Sequence, residues 1–137
     1  MQVNNSRIPL GGAAAVGAAV AANVIVWLIL GAILEYPAGF PPLSIGAIIF
    51  FTAFGLAAAT GVFALVNRLS DQPYRVFTIV AVVVLIVSII PNLIASGNPA
   101  MFPLPNATGQ AFLILITFHF VAALAGVGAL YAVTRQQ

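Results

Sequence analysis

Cysteine is absent from this 137-residue chain, and charge is nearly absent too. Without a thiol the chain can form no disulfide, iron–sulfur cluster, thiolate zinc site or cysteine nucleophile. Charged residues make up 4% of the chain, whereas hydrophobic residues make up 63%. So few polar groups cannot cover the surface of a water-soluble domain, and the composition therefore indicates a protein that lies in the lipid bilayer.

Basic side chains are also scarce, because the chain has four arginines and no lysine. These arginines are scattered, so the release of phosphate counterions that drives binding to DNA or RNA would be small. We therefore expect no nucleic-acid partner, and the lipid bilayer is the partner that the composition predicts.

Groups that could catalyse a reaction do not come together in the sequence. The two acidic residues, Glu35 and Asp71, are predicted on opposite membrane faces, so they cannot act as an acid–base pair. Ser88 and His119 lack a membrane-embedded acid to complete a triad, and a single histidine excludes both a helical His pair for zinc and a bis-His haem. We predict no catalytic residue, no metal site and no enzymatic activity.

What the chain does contain is four long apolar runs, near 9–34, 43–66, 76–95 and 109–133. About 20 such residues cross the hydrocarbon core, and backbone amides that have no water to bond there must form helices. The first run exceeds the roughly 7–15 apolar residues of a signal peptide, so we interpret it as a retained helix. The sequence predicts one all-α domain over 1–137, an integral membrane bundle of four transmembrane helices.

All the basic residues fall at the ends of these runs on one side. They are Arg7, Arg68, Arg75 and Arg135. The positive-inside rule then predicts a multi-pass cell-membrane protein with both termini and residues 67–75 in the cytoplasm. The proline-rich loops 35–42 and 96–108 are predicted outside.

Two parts of the chain resemble each other. Residues 37–41 and 99–103 both read Pro-Ala-x-Phe-Pro, and the helices that follow share pairs such as Thr52 with Thr117 and Gly61 with Gly126. The pattern indicates two duplicated helical hairpins, related by an axis along the membrane normal. Chance is the alternative, because an alphabet of Ala, Leu, Val and Gly often matches itself.

Polar side chains within the runs are costly in lipid and are therefore the candidates for ligand binding. From this set, which also includes Thr60 and Thr117, we take as ligand-binding candidates His119, Asn92, Ser88, Asn23 and Thr52. They could receive a lipophilic ligand or small solute in an outward-facing cavity, or bond one helix to another. Pro91 should kink the third helix, with neighbouring polar side chains bonding the freed backbone groups.

His119 is the one histidine of the chain, and histidine is the side chain type that most often acts as a proton carrier or metal ligand near neutral pH. Small residues at 122, 123 and 126 follow it, so a haem or chlorin could rest there with His119 as axial ligand, or a quinone could accept its hydrogen bond. The interpretation we favour is that His119 bonds an Asn, Ser or Thr on a neighbouring helix. We therefore predict no bound cofactor and a colourless protein.

Small residues recur at four-residue spacing on three helices, which lets helix backbones approach closely. They are Ala14, Ala18 and Ala22; Ala53, Ala57 and Gly61; and Ala122 and Gly126. This spacing is typical of packing within a chain, in a homo-oligomer or in a larger membrane complex. Together with the missing catalytic set, it favours a non-enzymatic accessory or structural subunit, with ligand binding or transport as the alternative.

The Gly/Ala-rich first helix and the segment Phe118-His119-Phe120-Val121-Ala122-Ala123 in the last one resemble a family of small, uncharacterised bacterial integral membrane proteins. That resemblance implies a fold of four membrane helices, and it implies no activity.

Overall fold

The computed structural model describes residues 2–135. The four long helices are α1 (Ile8–Ile33), α2 (Ile45–Leu69), α3 (Pro73–Gly97) and α4 (Gly109–Thr134), and short 3-10 turns cover Asn5–Arg7, Pro41–Leu43 and Pro99–Met101. Each long helix is apolar enough to cross a membrane, and the described residues form no strand, only an isolated bridge between Val3 and Arg135. The predicted all-α bundle of four membrane-length helices is confirmed.

Side-chain caps and proline fix where the helices begin. The hydroxyls of Ser44 and Thr108 accept hydrogen bonds from the backbone amides of Ala47 and Ala111, at 3.3 and 3.1 Å, so α2 and α4 begin directly after these caps. Pro73 is the first residue of α3, because its fixed φ suits the first turn and it has no amide hydrogen to leave unsatisfied. Helix α3 therefore starts three residues before the predicted 76.

The helices pack unequally around the bundle. Helix α1 packs most extensively against α4 and next against α2, and α4 also packs against α3. Helices α2 and α3 are joined by a short turn, yet they contact each other much less. The bundle therefore has one side that is loosely closed, between α2 and α3.

The most extensive helix contact, between α1 and α4, follows a row of small residues on α1. Gly11, Ala15 and Ala19 are buried and lie four residues apart, so they share one face of the helix. A Cβ atom added to Gly11 would lie 2.7 Å from Cγ2 of Thr134 on α4 and 3.2 Å from Cδ1 of Leu130. The small side chains thus let the two backbones approach, and we call this contact the α1–α4 seam.

Both chain ends and the α2–α3 turn meet at one end of the bundle, which we call the termini end. The backbone amide of Asn4 donates to the carbonyl of Thr134 at 2.8 Å, and the Asn67 side chain donates to Asn5 Oδ1 at 2.6 Å. Four rings pack beneath these bonds, with neighbouring centroids 4.9 to 6.1 Å apart: Phe63, Tyr74, Phe77 and Tyr131.

The two Pro-Ala-x-Phe-Pro loops meet at the opposite end, which we call the loop end. Phe40 and Phe102, one from each loop, both pack on Phe112 of α4, with ring centroids 5.4 and 5.8 Å away. The Asn106 side chain also donates to the carbonyl of Ala38 at 2.6 Å. The shared loop motif therefore places a phenylalanine from each loop on one ring of α4.

The first loop is also fastened to α1. The Trp27 indole donates to the carbonyl of Leu43 at 2.7 Å, and the Tyr36 hydroxyl donates to the carbonyl of Trp27 at 2.8 Å. Burial raises the pKa of the Tyr36 hydroxyl above the ordinary tyrosine value, because it disfavours the charged form. The loop end thus has fixed positions for its aromatic side chains.

The environments of the matched pairs do not repeat between the two halves. Thr52 is buried, whereas Thr117 is exposed. Gly61 is exposed and has open space beside it, whereas Gly126 is buried against Leu56. The internal duplication therefore stays a prediction.

Helix α3 continues without a break through Pro91. We expected Ser88 and Asn92 to bond the backbone groups that this proline frees, but their side chains bond other carbonyls. Ser88 Oγ donates to the carbonyl of Leu85 at 2.7 Å, and Asn92 Nδ2 donates to that of Ser88 at 3.3 Å. A side chain on a helix reaches the carbonyl three or four residues back, and neither spacing leads to Val87, whose carbonyl loses the proline's amide.

Candidate functional site

A cavity of about 590 Å³ lies between α2, α3 and α4, on the loosely closed side of the bundle. Its rim residues are open to the surroundings, since Phe51 on α2 is 67% exposed and Val84 on α3 is 59% exposed. The cavity thus opens sideways, between two membrane-length helices, and we call it the lateral groove. Its volume falls within the roughly 300–1,000 Å³ of small-molecule sites.

The lining of the lateral groove is almost wholly apolar, with four polar side chains. These are Asn23, Thr52, Ser88 and His119. The structure thus brings together four of the five side chains that the sequence marked as ligand-binding candidates. The fifth, Asn92, does not line the groove.

Asn23 lies where three helices meet. It is 1% exposed, continues the row of Gly11, Ala15 and Ala19, and is the one α1 residue in the described lining of the groove. Its Nδ2 donates to Thr52 Oγ1 on α2 at 2.9 Å and to the carbonyl of Phe118 on α4 at 3.3 Å. The side chain therefore ties α1 to both neighbours at the floor of the groove.

His119 does not make the interhelical bond that we expected. Its Nδ1 lies 2.8 Å from the carbonyl of Leu115, one turn earlier on its own helix. The ring is half-buried and lines the groove, with Ala122 and Ala123 one turn further along α4. The reason is local geometry: a helical side chain reaches back to the i−4 carbonyl without any help from a partner helix.

The structure places the predicted small-residue rows differently on each helix. Ala14, Ala18 and Ala22 are only half-buried, and the buried row of α1 is offset from them by one residue. Ala57 and Gly61 on α2 are exposed, so the α2 row does not serve packing inside the chain. Ala53 on α2 is half-buried.

The α4 pair has two different surroundings. Ala122 is half-buried and lines the lateral groove. Gly126 is buried, and a Cβ added there would collide with the side chain of Leu56 on α2. Gly126 therefore lets α2 approach α4 just below the groove, whereas Ala122 leaves the groove wide.

Most of the groove's surface comes from residues that the sequence did not mark. Phe51, Leu85 and Leu115 line it, and nothing distinguishes them from the many apolar residues that face lipid. The one signal was the small pair Ala122 and Ala123 after His119, since small side chains beside a polar one leave room for a ligand.

The site can therefore hold an apolar body and form hydrogen bonds with a polar group on it. No three His, Cys, Asp or Glu side chains come together anywhere in residues 2–135. Glu35 and Asp71 are exposed, near the loop end and the termini end respectively. Recognition of a ligand at this site would depend on shape, apolar contact and a few polar groups.

Four helices that are long and apolar enough to cross a membrane are consistent with a multi-pass membrane protein. The chain belongs to a family of unknown function, DUF6069, which it matches over residues 3–136. The resemblance to an uncharacterised family is thereby confirmed. No curated protein and no solved structure matches the chain.

Proposed function

We propose that this membrane protein binds a lipophilic molecule in the lateral groove, without catalysing a reaction. The observation that carries this proposal is the groove itself, an apolar cavity of about 590 Å³ with four polar side chains gathered in it. A structural subunit alone has no need of such a cavity, because helix packing normally fills interiors to high density.

The open side of the groove favours a lipophilic ligand over a small aqueous solute. Its rims, at Phe51 and Val84, belong to helices whose outer faces are apolar along their length. A ligand would therefore enter from the hydrocarbon region, where a lipophilic molecule is concentrated and a polar solute is not. This argument leaves transport out of the proposal.

Photolabelling can test the proposal in purified protein held in lipid nanodiscs. The probe is a hexadecyl chain with a diazirine at its midpoint, and labelled residues are mapped by mass spectrometry. We expect saturable labelling at Leu85 and Ala122 in the groove, which an unlabelled hexadecyl competitor removes. Leu124 on α4 is the control: it is 77% exposed and outside the groove, so its labelling should rise with probe concentration and resist competition. Labelling of the same unsaturable kind at all three positions would contradict the proposal.

We also propose that the termini end faces the cytoplasm of a cell membrane. Arg68 and Arg75 flank the α2–α3 turn, and Arg7 and Arg135 adjoin the helix ends beside it, so all four basic residues support this orientation. Because the chain has no cysteine, Ser70→Cys and Ala100→Cys give single labels at the two ends. A membrane-impermeant maleimide added to intact cells should modify Cys at 100 and spare Cys at 70, and the opposite result would reverse the orientation.

A second candidate function is assembly with a second copy or with a larger membrane complex. The exposed pair Ala57 and Gly61 on α2 favours it, because small residues four apart are typical of helix–helix contacts in membranes. Native mass spectrometry of gently solubilised protein should then show an oligomer that Gly61→Leu dissociates. A monomer without partners in both samples would remove this candidate.

A further inference from the structure

One residue that lines the lateral groove has a buried side-chain oxygen without a hydrogen-bond partner. Within residues 2–135, Asn23 Oδ1 is the only buried side-chain nitrogen or oxygen for which no partner is found. Buried polar atoms in folded proteins are almost always bonded, since an unbonded one keeps the full cost of losing its water. A hydrogen bond to this acceptor therefore needs a donor from outside the chain.

The orientation of the Asn23 amide is set by its neighbours. The carbonyl of Phe118 can only accept, so the NH₂ group and not the oxygen must face it, at 3.3 Å. The second hydrogen of that NH₂ group goes to Thr52 Oγ1 at 2.9 Å. Both donors are therefore used within the chain, and Oδ1 is left as a free acceptor.

Two other polar side chains in the groove also donate their hydrogens to backbone carbonyls of the chain. His119 Nδ1 lies 2.8 Å from the carbonyl of Leu115, which can only accept, so Nδ1 carries a proton, and Nε2 of an uncharged imidazole is an acceptor. Ser88 Oγ donates its hydrogen to the carbonyl of Leu85 at 2.7 Å. The groove thus presents acceptors from three helices, and the Thr52 hydroxyl is its one remaining source of a hydrogen.

Given the groove as the binding site proposed above, we infer that its ligand is a lipophilic molecule with a hydroxyl group, which donates to Asn23. A membrane alcohol or a quinol has this chemistry. An ether, an ester or a quinone offers only acceptors. Apart from the Thr52 hydroxyl, the polar groups that these would face are the acceptors of Asn23, His119 and Ser88. The groove therefore selects the hydroxyl form of a lipid over the matched form without the hydrogen.

The inference predicts a preference between probes that differ by one hydrogen-bond donor. The photolabelling assay is run with a diazirine-bearing hexadecanol and with its methyl ether, and the concentration for half-maximal labelling of Leu85 and Ala122 is compared. Because the ether leaves Asn23 Oδ1 unbonded in an apolar site, the alcohol should bind about tenfold more tightly. Decyl-quinol, kept reduced, and decyl-quinone serve as competitors of matched shape.

Substitutions locate the origin of that preference. Asn23→Leu should bring alcohol binding down to the level of the ether and leave ether binding unchanged. Because Asn23 also joins three helices, the thermal unfolding of the Asn23→Leu protein must be compared with that of the parent. His119→Phe, at a half-buried position, is a second variant. It should reduce the ratio between the half-maximal labelling concentrations of ether and alcohol. Thr117→Val is the control, since Thr117 is exposed on α4 outside the groove, and it should preserve the tenfold ratio.

The outcomes separate this inference from the proposal on which it rests. A preference for the alcohol with none for the quinol identifies a membrane alcohol, the reverse identifies a quinol, and a preference for both supports the shared hydroxyl chemistry. Saturable labelling that is equal for alcohol and ether, or a preference that neither variant reduces, overturns the hydroxyl inference while the groove remains a binding site. No saturable labelling with any probe overturns both.

Discussion

The α1–α4 seam and the lateral groove are both contacts between neighbouring helices, yet one is closed and the other open. At the seam, Gly11, Ala15 and Ala19 let the helix backbones meet. Along the groove, α3 instead presents Val80 and Val84, and the space between α3 and α2 stays open. In lipid there is little hydrophobic force to pull helices together. Small facing side chains therefore permit a close contact but do not close one by themselves, since Gly55, Ala58 and Ala81 line the open groove.

Asn23 connects the two regions. It is the next step in the row of small residues that closes the seam, and it also lies at the floor of the groove. Its bonds to Thr52 and to the Phe118 carbonyl join three helices on one side, while Oδ1 remains unbonded. The closed region thus fixes the polar group that the open region presents.

The largest effect should come from enlarging a seam residue. Gly11→Val places methyl groups where Thr134 Cγ2 already lies, 2.7 Å from the added Cβ, and should lower the free energy of unfolding by about 1–3 kcal/mol. Gly17→Val is the matched control, because a Cβ there meets nothing within 4 Å, and it should stay within about 0.5 kcal/mol of the parent. Unfolding by SDS titration from mixed micelles measures both, and equal losses would mean that the seam is not tightly packed.

A smaller loss in the free energy of unfolding is expected from a substitution at the groove floor. Thr52→Val keeps the side-chain shape but removes the acceptor of the Asn23 amide, and should cost about 1 kcal/mol in the same titration. Thr117→Val, the pair-mate of Thr52 in the apparent repeat, is exposed and should have almost no effect. Equal losses would indicate instead that the two halves are equivalent, as a symmetric duplication requires.

The smallest effect should come from the groove wall. Ala58 lines the groove and is exposed, so Ala58→Leu should change the free energy of unfolding by no more than about 0.5 kcal/mol. The same enlargement at the fully buried Ala19 should cost about 1–3 kcal/mol. Comparable losses at the two sites would show that the groove closes in the bilayer.

The sequence predicted the helices well because lipid leaves the backbone no other choice. All four were predicted within three residues of their observed ends, and the differences have local causes. Pro73 is favoured at a first helical position, and α2 continues to Leu69 because nothing before Ser70 stops it.

The faces by which the helices pack were harder to predict, because both the exposed and the buried faces of a membrane helix are apolar. Residues 11–22 of α1 are nearly all small, so Ala14 and Ala15 look equally suitable by spacing alone. Asn23 was the signal that could have decided, since a polar side chain in a membrane helix turns inward. Counting back from Asn23 by fours gives Ala19, Ala15 and Gly11, the row that is buried.

The ligand-binding candidates were predicted because polar side chains cost free energy in lipid. Four of the five candidates do meet in the groove. What the sequence could not give is their bonding state. Whether His119 and Ser88 bond their own helix or a neighbour depends on distances between helices, and so does the missing partner of Asn23 Oδ1. Those distances depend on how the four helices pack together, and the type of a single residue does not reveal that packing.

The central claim, that the groove is a binding site, is tested most directly by filling it. Gly55 lines the groove and a Cβ there meets nothing within 4 Å, so Gly55→Phe should occupy the cavity without disturbing the fold. Gly128→Phe adds the same ring at an equally open position outside the groove. In the hexadecanol photolabelling assay, we predict that Gly55→Phe abolishes saturable labelling of Ala122 and that Gly128→Phe retains it. Saturable labelling that survives in a folded Gly55→Phe protein would contradict the account.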